Sequence, residues 1–333
     1  MVLSRAMPGF DIHQHLWPES FTALLAERST PPCVRVDDAE RHLVVAGEPD
    51  SPIHARAQDP DERAEQLASA GLHRALLAIS SPLGIETLPR AEAGPLLDAW
   101  NDAALALGVP FGVWGAVALD EPDGADVDAL LDRGAVGISL PAGALASVAG
   151  LRHAAPLLTA LERRDAPLLL HPGPAPARAA GGAPEPAWWP ALTSYVAELQ
   201  AAWLAFAEWG RPAHPTLRVV FAALAGGAPL HVERIGIRGG PATAVHDPLV
   251  FYDTSSYGPR ALDAAIRVVG LDALVHGSDA PVIALGRAPG HALGPGITAA
   301  LTLTNPARLL HGEAASGTRR SSQAPAQPAT VAA

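Results

Sequence analysis

Apolar runs alternate with amphipathic stretches along most of this 333-residue chain. Eight short runs are almost continuously apolar, which is typical of parallel strands buried on both faces, and each precedes a stretch with helical periodicity. This eight-fold α/β alternation predicts a closed (β/α)8 barrel, a TIM barrel, rather than an open sheet. The predicted strands are 9–13, 74–79, 110–117, 135–140, 166–171, 217–222, 249–254 and 273–277. The predicted helices are 61–71, 95–107, 125–133, 154–164, 191–209, 229–236, 259–269 and 297–311.

Three segments interrupt this alternation. Residues 31–60 contain two short β-prone runs separated by a turn-like tetrapeptide, which predicts a small hairpin inserted after the first strand. Residues 172–190 are rich in Pro, Gly and Ala and predict a long loop after the fifth strand. The segment 313–333 lacks periodicity and predicts a disordered tail, which leaves a single barrel domain over 1–312.

Composition and charge exclude several classes of protein. The chain is 49% hydrophobic, enough for a sizeable core, so disorder along its whole length is excluded. Its net charge of −11 argues against a nucleic-acid partner held by phosphate neutralisation. Because neither a targeting segment nor a long uninterrupted apolar stretch is visible, we expect a cytoplasmic protein with no membrane partner.

Two residue counts narrow the chemistry further. The single cysteine, Cys33, excludes an intrachain disulfide and a thiolate metal cage. The chain has no lysine, so all 23 of its basic residues are arginine. Schiff-base chemistry, a P-loop lysine and a carboxylated lysine that bridges two metal ions are therefore excluded.

Candidate metal ligands lie where three of the predicted strands end. Asp11, His13 and His15 alternate at the end of the first strand, so all three are expected to point into the barrel mouth. His171 ends the fifth strand and Asp279 the eighth. Barrel active sites are assembled from several strand ends, and imidazole and carboxylate groups there can chelate a divalent ion. Each group alone also fits a structural role, as a buried histidine or as an aspartate in a turn.

These motifs resemble the amidohydrolase superfamily, in particular its amidohydrolase-related family of mononuclear barrel hydrolases and decarboxylases. The resemblance covers 10 to about 311 and is carried by DIHQH at 11–15, LLLHPG at 168–173, FYDTSSYG at 251–258, HGSDAP at 276–281 and TNPARLL at 304–310. It implies that His13, His15, His171 and Asp279 hold one divalent metal ion, with zinc the first choice and manganese the alternative. It also implies that Asp279 transfers a proton. Barrels of this family are often homodimers, so a homodimer is a further expectation from the resemblance.

The sixth strand departs from the family pattern. The resemblance implies a histidine there, in a motif like AHxGG, that polarises the substrate or orients water. Here the matching stretch is FAALAGG at 221–227, and Leu224 stands in the histidine position. Leucine cannot donate, accept or titrate, so the role must be absent or supplied elsewhere. His231 is one alternative, although we expect it on a helix surface.

Loop residues beyond the ligands are candidates for substrate contact. Trp17 and Trp189 would shape an apolar, planar pocket if they do not merely pack in loops. Ser255 and Tyr257 share strand parity with Asp253 and could line the same pocket, whereas Asp253 could equally be a structural acceptor. The complete set of predicted substrate contacts is Trp17, Trp189, Leu224, Ser255 and Tyr257. His276 has the opposite parity to Asp279 and is expected to face the surrounding helices.

Three functions on a small-molecule substrate fit these residues. The first is a metal-dependent hydrolase, in which water acidified by the ion attacks an ester, lactone or amide carbonyl and Asp279 shuttles the proton. The second is a non-oxidative decarboxylase of an aromatic or conjugated carboxylic acid, in which Asp279 handles the proton that replaces carbon dioxide. The third is a metal-free lactonase or a non-catalytic ligand-binding barrel, which Leu224 keeps open. The sequence favours the hydrolase.

Overall fold

The computed structural model describes residues 9–38, 40–176, 186–286 and 289–312. The strands are β1 Phe10–Gln14, β2 Cys33–Asp37, β3 Glu40–Val44, β4 Ser51–Pro52, β5 Arg74–Leu77, β6 Phe111–Ala116, β7 Gly137–Pro141, β8 Leu168–His171, β9 Val219–Phe221, β10 Val250–Asp253 and β11 Leu274–Val275. The helices are α1 Glu19–Ala26, α2 Pro60–Ser69, α3 Arg90–Ala106, α4 Gly124–Asp132, α5 Val148–His153, α6 Ala155–Arg163, α7 Trp189–Leu192, α8 Ser194–Ala205, α9 Arg211–Ala213, α10 Val232–Ile237, α11 Pro259–Val269, α12 Pro295–Ala299 and α13 Asn305–His311.

Eight parallel strands form the main sheet, in the order β1-β5-β6-β7-β8-β9-β10-β11. The segment that follows β11 returns to β1, where Ile12 N donates to His276 O at 2.9 Å and His15 N donates to Ala280 O at 2.7 Å. These bonds bring the last strand to the first and confirm the predicted (β/α)8 barrel. Its inner layer is apolar, with Ile12, Trp114 and Phe251 among the buried side chains of one cluster.

The insertion after β1 is a three-stranded antiparallel sheet, β2-β3-β4, so the predicted hairpin is present with one additional short strand. Its side chains Val34 and Leu43 are buried in the same apolar cluster as Leu16 and Phe21. The insertion is therefore anchored beside the carboxyl end of β1, where the first candidate ligands lie.

Two differences between the predicted and the observed helices have a local cause in the backbone. The predicted helix 95–107 begins at Arg90, because the helix accommodates Pro95 at the loss of one backbone hydrogen bond. The predicted helix 191–209 is divided, because Thr193 has non-helical dihedral angles (φ −124°, ψ −87°) and separates α7 from α8.

Two segments that are predicted to be irregular lie partly or wholly outside the described residues. The tail 313–333 lies outside the described residues, as does 177–185 within the predicted loop 172–190. Among the described residues, none of the helices combines the length and apolarity that crossing a membrane requires.

Candidate metal centre

The four predicted ligands meet at the carboxyl end of the barrel. His13, His15, His171 and Asp279 each present one ligand atom, and these atoms all lie within 4.8 Å of one another. His15 Nε2 is 3.2 Å from both His13 Nε2 and His171 Nε2 and 3.0 Å from Asp279 Oδ1. The three imidazoles are buried and the carboxylate is partly exposed, so the cluster opens toward solvent on the side of Asp279.

Partners on the other ring nitrogen orient each imidazole. His15 Nδ1 lies 2.8 Å from Ala78 O, and His171 Nδ1 lies 2.8 Å from Pro172 O. A carbonyl oxygen only accepts, so both Nδ1 atoms donate, and in the neutral rings both Nε2 atoms carry a free lone pair. His13 Nδ1 lies 2.6 Å from Asp253 Oδ2 and is held in the same way.

This donor set fits a divalent metal ion. With all three imidazoles neutral, the lone pairs on their Nε2 atoms and a carboxylate oxygen lie within 4.8 Å of one another, an arrangement that is repulsive unless a cation or a proton lies between them. Three imidazoles with one carboxylate form an N3O set that zinc and manganese both accept. Hydrogen bonds from the remote ring nitrogens are also the usual support of metal-bound histidines.

Burial and nearby charges shift the pKa values within the cluster. Burial would lower the pKa of His13, but the charge and hydrogen bond of Asp253 outweigh it and raise that pKa to about 9. Burial, together with the charges of His13 and His15, holds the pKa of His171 well below its usual range. Burial would raise the pKa of Asp279, but the hydrogen bond from His15 and the charges of the imidazoles lower it. The resting state of Asp279 is therefore the carboxylate.

Asp253 acts through His13 rather than as a surface of the pocket. Its Oδ2 lies 2.6 Å from His13 Nδ1 and accepts a hydrogen bond from Ser255 Oγ at 2.8 Å, and its Oδ1 accepts from Ser255 N at 2.7 Å. A Cβ added at Gly277 would lie 2.2 Å from Asp253 Oδ1, so the glycine of the HGSDAP motif makes room for this pair. Ser255 is buried with its hydroxyl engaged here, and its contact with substrate stays a prediction.

Asp11 does not join the cluster, contrary to the expectation from strand alternation. The register of β1 against β5 shifts between Asp11 and Gln14, and an irregularity of this kind re-aims the side chains that follow it. The Asp11 carboxylate instead accepts from Gln14 Nε2 at 2.7 Å and from Ser278 N at 2.9 Å. His276 also lies outside the cluster, with its Nε2 3.9 Å from Asp11 Oδ2, and its orientation toward the surrounding helices stays a prediction.

The predicted substrate contacts occupy different environments. Trp17 is half-buried, and its indole Nε1 is buried without a partner among the described residues. Trp189 is 41% exposed at the start of α7 and packs against Trp188, with 5.5 Å between ring centroids. Tyr257 is half-buried, and burial raises its pKa. All of these contacts stay predictions.

Leu224 lies in an unusual turn that follows β9. Five consecutive residues, 223–227, have positive φ angles between 46° and 79°, and the first three are not glycine. Each such non-glycine residue costs about 1–2 kcal/mol. Leu224 is buried in an apolar cluster, so it offers no polar group where the resemblance places a histidine. His231 is exposed and outside the metal cluster, so it does not replace that group.

A sequence profile of the amidohydrolase family matches residues 10–315. The chain belongs to the amidohydrolase family. This family consists of enzymes, and its superfamily uses a divalent metal ion. No curated protein matches the sequence significantly.

Solved structures share the fold of this amidohydrolase. IDCase from Metarhizium anisopliae, in its apo form, is 19% identical with a TM-score of 0.77, covering 92% of this chain and 97% of that chain. The 5-carboxyvanillate decarboxylase LigW from Sphingomonas paucimobilis is 16% identical with a TM-score of 0.67, covering 92% and 99%. A 5-carboxyvanillate decarboxylase from Novosphingobium aromaticivorans, complexed with manganese and 4-hydroxy-3-methoxy-5-nitrobenzoic acid, is 15% identical with a TM-score of 0.62, covering 84% and 87%.

Proposed function

We propose that this protein is a metal-dependent, non-oxidative decarboxylase of aromatic or conjugated carboxylic acids. The observation that carries the proposal is the cluster of three imidazoles and one carboxylate at the mouth of a barrel shared with decarboxylases. This reverses the preference for hydrolysis drawn from the sequence, because the same four side chains serve either reaction and the structural relatives favour decarboxylation.

Leu224 is compatible with decarboxylation, although the family pattern implies a histidine there for decarboxylases as well as for hydrolases. Hydrolysis of an ester or amide needs a proton acceptor for the attacking water, a donor for the leaving group and stabilisation of the developing oxyanion. Decarboxylation needs one proton for each carbon dioxide released. The apolar side chain at 224 leaves a hydrolytic site without the polar group that the family pattern implies there. The single carboxylate Asp279 satisfies the simpler requirement.

His13, His15, His171 and Asp279 would hold the metal ion. A bound divalent ion would supply a Lewis acid that holds a substrate carboxylate and neutralises its charge. Ala78 O and Pro172 O fix two of the imidazoles, and Asp253 fixes the third. We propose zinc or manganese, and the manganese complex of the Novosphingobium decarboxylase supports manganese as the first ion to test.

Asp279 would transfer the proton. A carboxyl group binds a metal ion as the carboxylate, so Asp279 first takes up a proton from the substrate or solvent. It then protonates the carbon that carries the leaving carboxylate. As the bond to that carboxylate breaks, its electron pair stays on the carbon, carbon dioxide leaves, and a C–H bond remains.

The test is product analysis with the manganese- or zinc-loaded protein. The substrates are 5-carboxyvanillate, simpler hydroxybenzoates and benzoate, beside a panel of esters and lactones. We expect carbon dioxide release from a hydroxylated aromatic acid, with one deuterium on the product carbon in D2O. Asp279→Asn should retain the fold and lower the rate by about 100- to 10,000-fold, the usual contribution of an acid–base group. Hydrolysis of an ester or lactone with no decarboxylation of any acid would contradict the proposal and favour the hydrolase.

A further inference from the structure

A series of hydrogen bonds between buried polar groups, the Arg63 network, lies behind the metal cluster, between β1, α2 and the segment that follows β11. At its centre is Arg63 of α2, whose side chain is 1% exposed. Its Nη2 donates to Gln14 Oε1 and, at 3.1 Å, to Ala280 O, while its Nη1 donates to Ala57 O at 3.3 Å. Gln14 Nε2 in turn donates to Asp11 Oδ2 at 2.7 Å, so an amide links the buried cation to a buried anion.

The hydrogen bonds of the Arg63 network end on the backbone that carries the candidate ligands. Ala280 O accepts from Arg63 and also from His15 N, the latter at 2.7 Å. Asp11 Oδ1 accepts from Ser278 N at 2.9 Å and from His13 N at 3.2 Å. These hydrogen bonds therefore hold both neighbours of Asp279, Ser278 and Ala280, as well as the backbone of His13 and His15.

Packing alone does not explain a guanidinium at this place. Removing a charge from water costs several kcal/mol, which an apolar side chain of similar size would avoid. Burial lowers the pKa of Arg63 to about 10, partly offset by the charge of Asp11, and its Nε has no partner among the described residues. Its donors instead join Gln14 of β1 to Ala280 in the segment that follows β11, at the point where the barrel closes.

We propose that Arg63 is a positioning residue that sets the separation of His13 and His15 from Asp279, and thereby the affinity and geometry of metal binding. The proposal rests on the metal site of the proposed function and not on the reaction that occurs there. Failure to find a decarboxylase substrate would therefore leave it unaffected.

The experiment uses Co²⁺, whose visible absorption reports coordination geometry. Arg63→Met is compared with a matched control, Arg218→Met. Arg218 is also buried and donates to carbonyl oxygens, including Leu309 O at 2.7 Å, but it precedes β9 at the opposite end of the barrel. The readouts are the Co²⁺ dissociation constant, the Co²⁺ spectrum and the unfolding temperature of the metal-free protein.

We expect both variants to lose thermal stability, and only Arg63→Met to bind Co²⁺ about 10- to 100-fold more weakly with an altered spectrum. Arg63→Lys keeps the charge with fewer donors and should recover part of the affinity. If Arg63→Met does not fold, Gln14→Met breaks the Arg63 network without removing the cation and should change the spectrum in the same direction. Wild-type affinity and spectrum in the folded Arg63 or Gln14 variant would overturn the proposal, as would absence of Co²⁺ binding in the wild type.

Discussion

Each imidazole of the cluster uses Nδ1 for a protein partner, so the direction of its Nε2 is set by the fold. Two of these partners are backbone carbonyls, and the third is the Asp253 carboxylate. Sequence parity placed Asp253 on the correct side of β10 but left its role open between pocket lining and structural acceptor. Only the 2.6 Å contact across 240 residues identifies His13 as its partner.

Asp253→Asn tests the orienting role of this carboxylate. The variant retains size but loses the charge that faces His13, so we expect manganese or zinc to bind about 10-fold more weakly, in the range typical of partners to metal ligands. Titration calorimetry measures the dissociation constant. Ser255→Ala, which removes only the hydroxyl that donates to Asp253, is the control and should have a smaller effect. Equal affinities in all three proteins would mean that Asp253 is not needed to orient His13.

Glu86 is another buried carboxyl, and burial raises its pKa. Its Oε1 accepts from Ser81 Oγ at 2.7 Å, and Oε2 has no partner among the described residues. The folded state therefore binds this proton more tightly than the unfolded state does. The resulting stability is complete below the unfolded-state pKa of about 4.3 and is lost as pH rises through the higher folded-state pKa.

Glu86→Gln removes that titration and keeps the acceptor for Ser81. Relative to this variant, the wild type should lose free energy of unfolding as pH rises above about 4.3 toward the folded-state pKa, by at most about 1.4 kcal/mol per pH unit. Urea unfolding at several pH values measures the difference. A difference independent of pH would show that Glu86 has the same pKa in the folded and unfolded states.

Among the elements, the strands were predictable and the turn after β9 was not. Buried parallel strands leave a continuous apolar signal, and each predicted barrel strand overlaps an observed one. The turn at 223–227 begins with Ala-Leu-Ala, residues that favour right-handed helix, so local propensity gives no warning of positive φ. Close packing against α8 explains the glycine that follows, because a Cβ at Gly226 would lie 2.6 Å from Val196 O.

Leu224→His tests whether the lost polar group can be restored. Because Leu224 is buried in an apolar cluster, we expect a loss of about 1–3 kcal/mol in free energy of unfolding, with no gain in rate or metal content. Thermal unfolding, metal analysis and the decarboxylase assay measure these three quantities. A clear gain in rate would show that the site still accommodates the histidine role.

The burial of Arg63 on α2 is a second feature that could not be predicted from the sequence. On a polar-faced helix in the sequence, an arginine has the signature of a solvent-exposed residue. Its burial follows from the acceptors that β1 and the closing segment present to α2, which are separated from it by 49 and 217 residues. No local pattern encodes such long-range partners, whereas the HxH and GSDxP spacings do encode the ligands.

Across the whole molecule, the hydrogen bonds that close the barrel also join the candidate metal ligands. Asp279 N donates to His13 O at 2.9 Å, and His15 N donates to Ala280 O at 2.7 Å, so the last strand closes on the first at the ligands themselves. A metal ion that bridges them should stabilise the entire fold, because it binds the native state alone.

We therefore expect manganese or zinc at 100 times its dissociation constant to add about 2.7 kcal/mol to the free energy of unfolding. Calorimetry with metal, and again after chelation, measures the shift in unfolding temperature. The His13→Ala/His15→Ala double variant is the control and should not respond. If the unfolding temperature of the wild type did not change with metal, metal binding would not stabilise the closed barrel, contrary to this prediction.

Elemental analysis of the purified, untagged protein, after incubation with zinc or manganese and removal of unbound metal, tests the metal centre. We expect about one divalent ion per chain, and its loss in the His13→Ala/His15→Ala double variant. A folded wild-type protein that retains no metal under these conditions would contradict the metal centre and the decarboxylase mechanism built on it, and would favour a metal-free lactonase or a ligand-binding barrel.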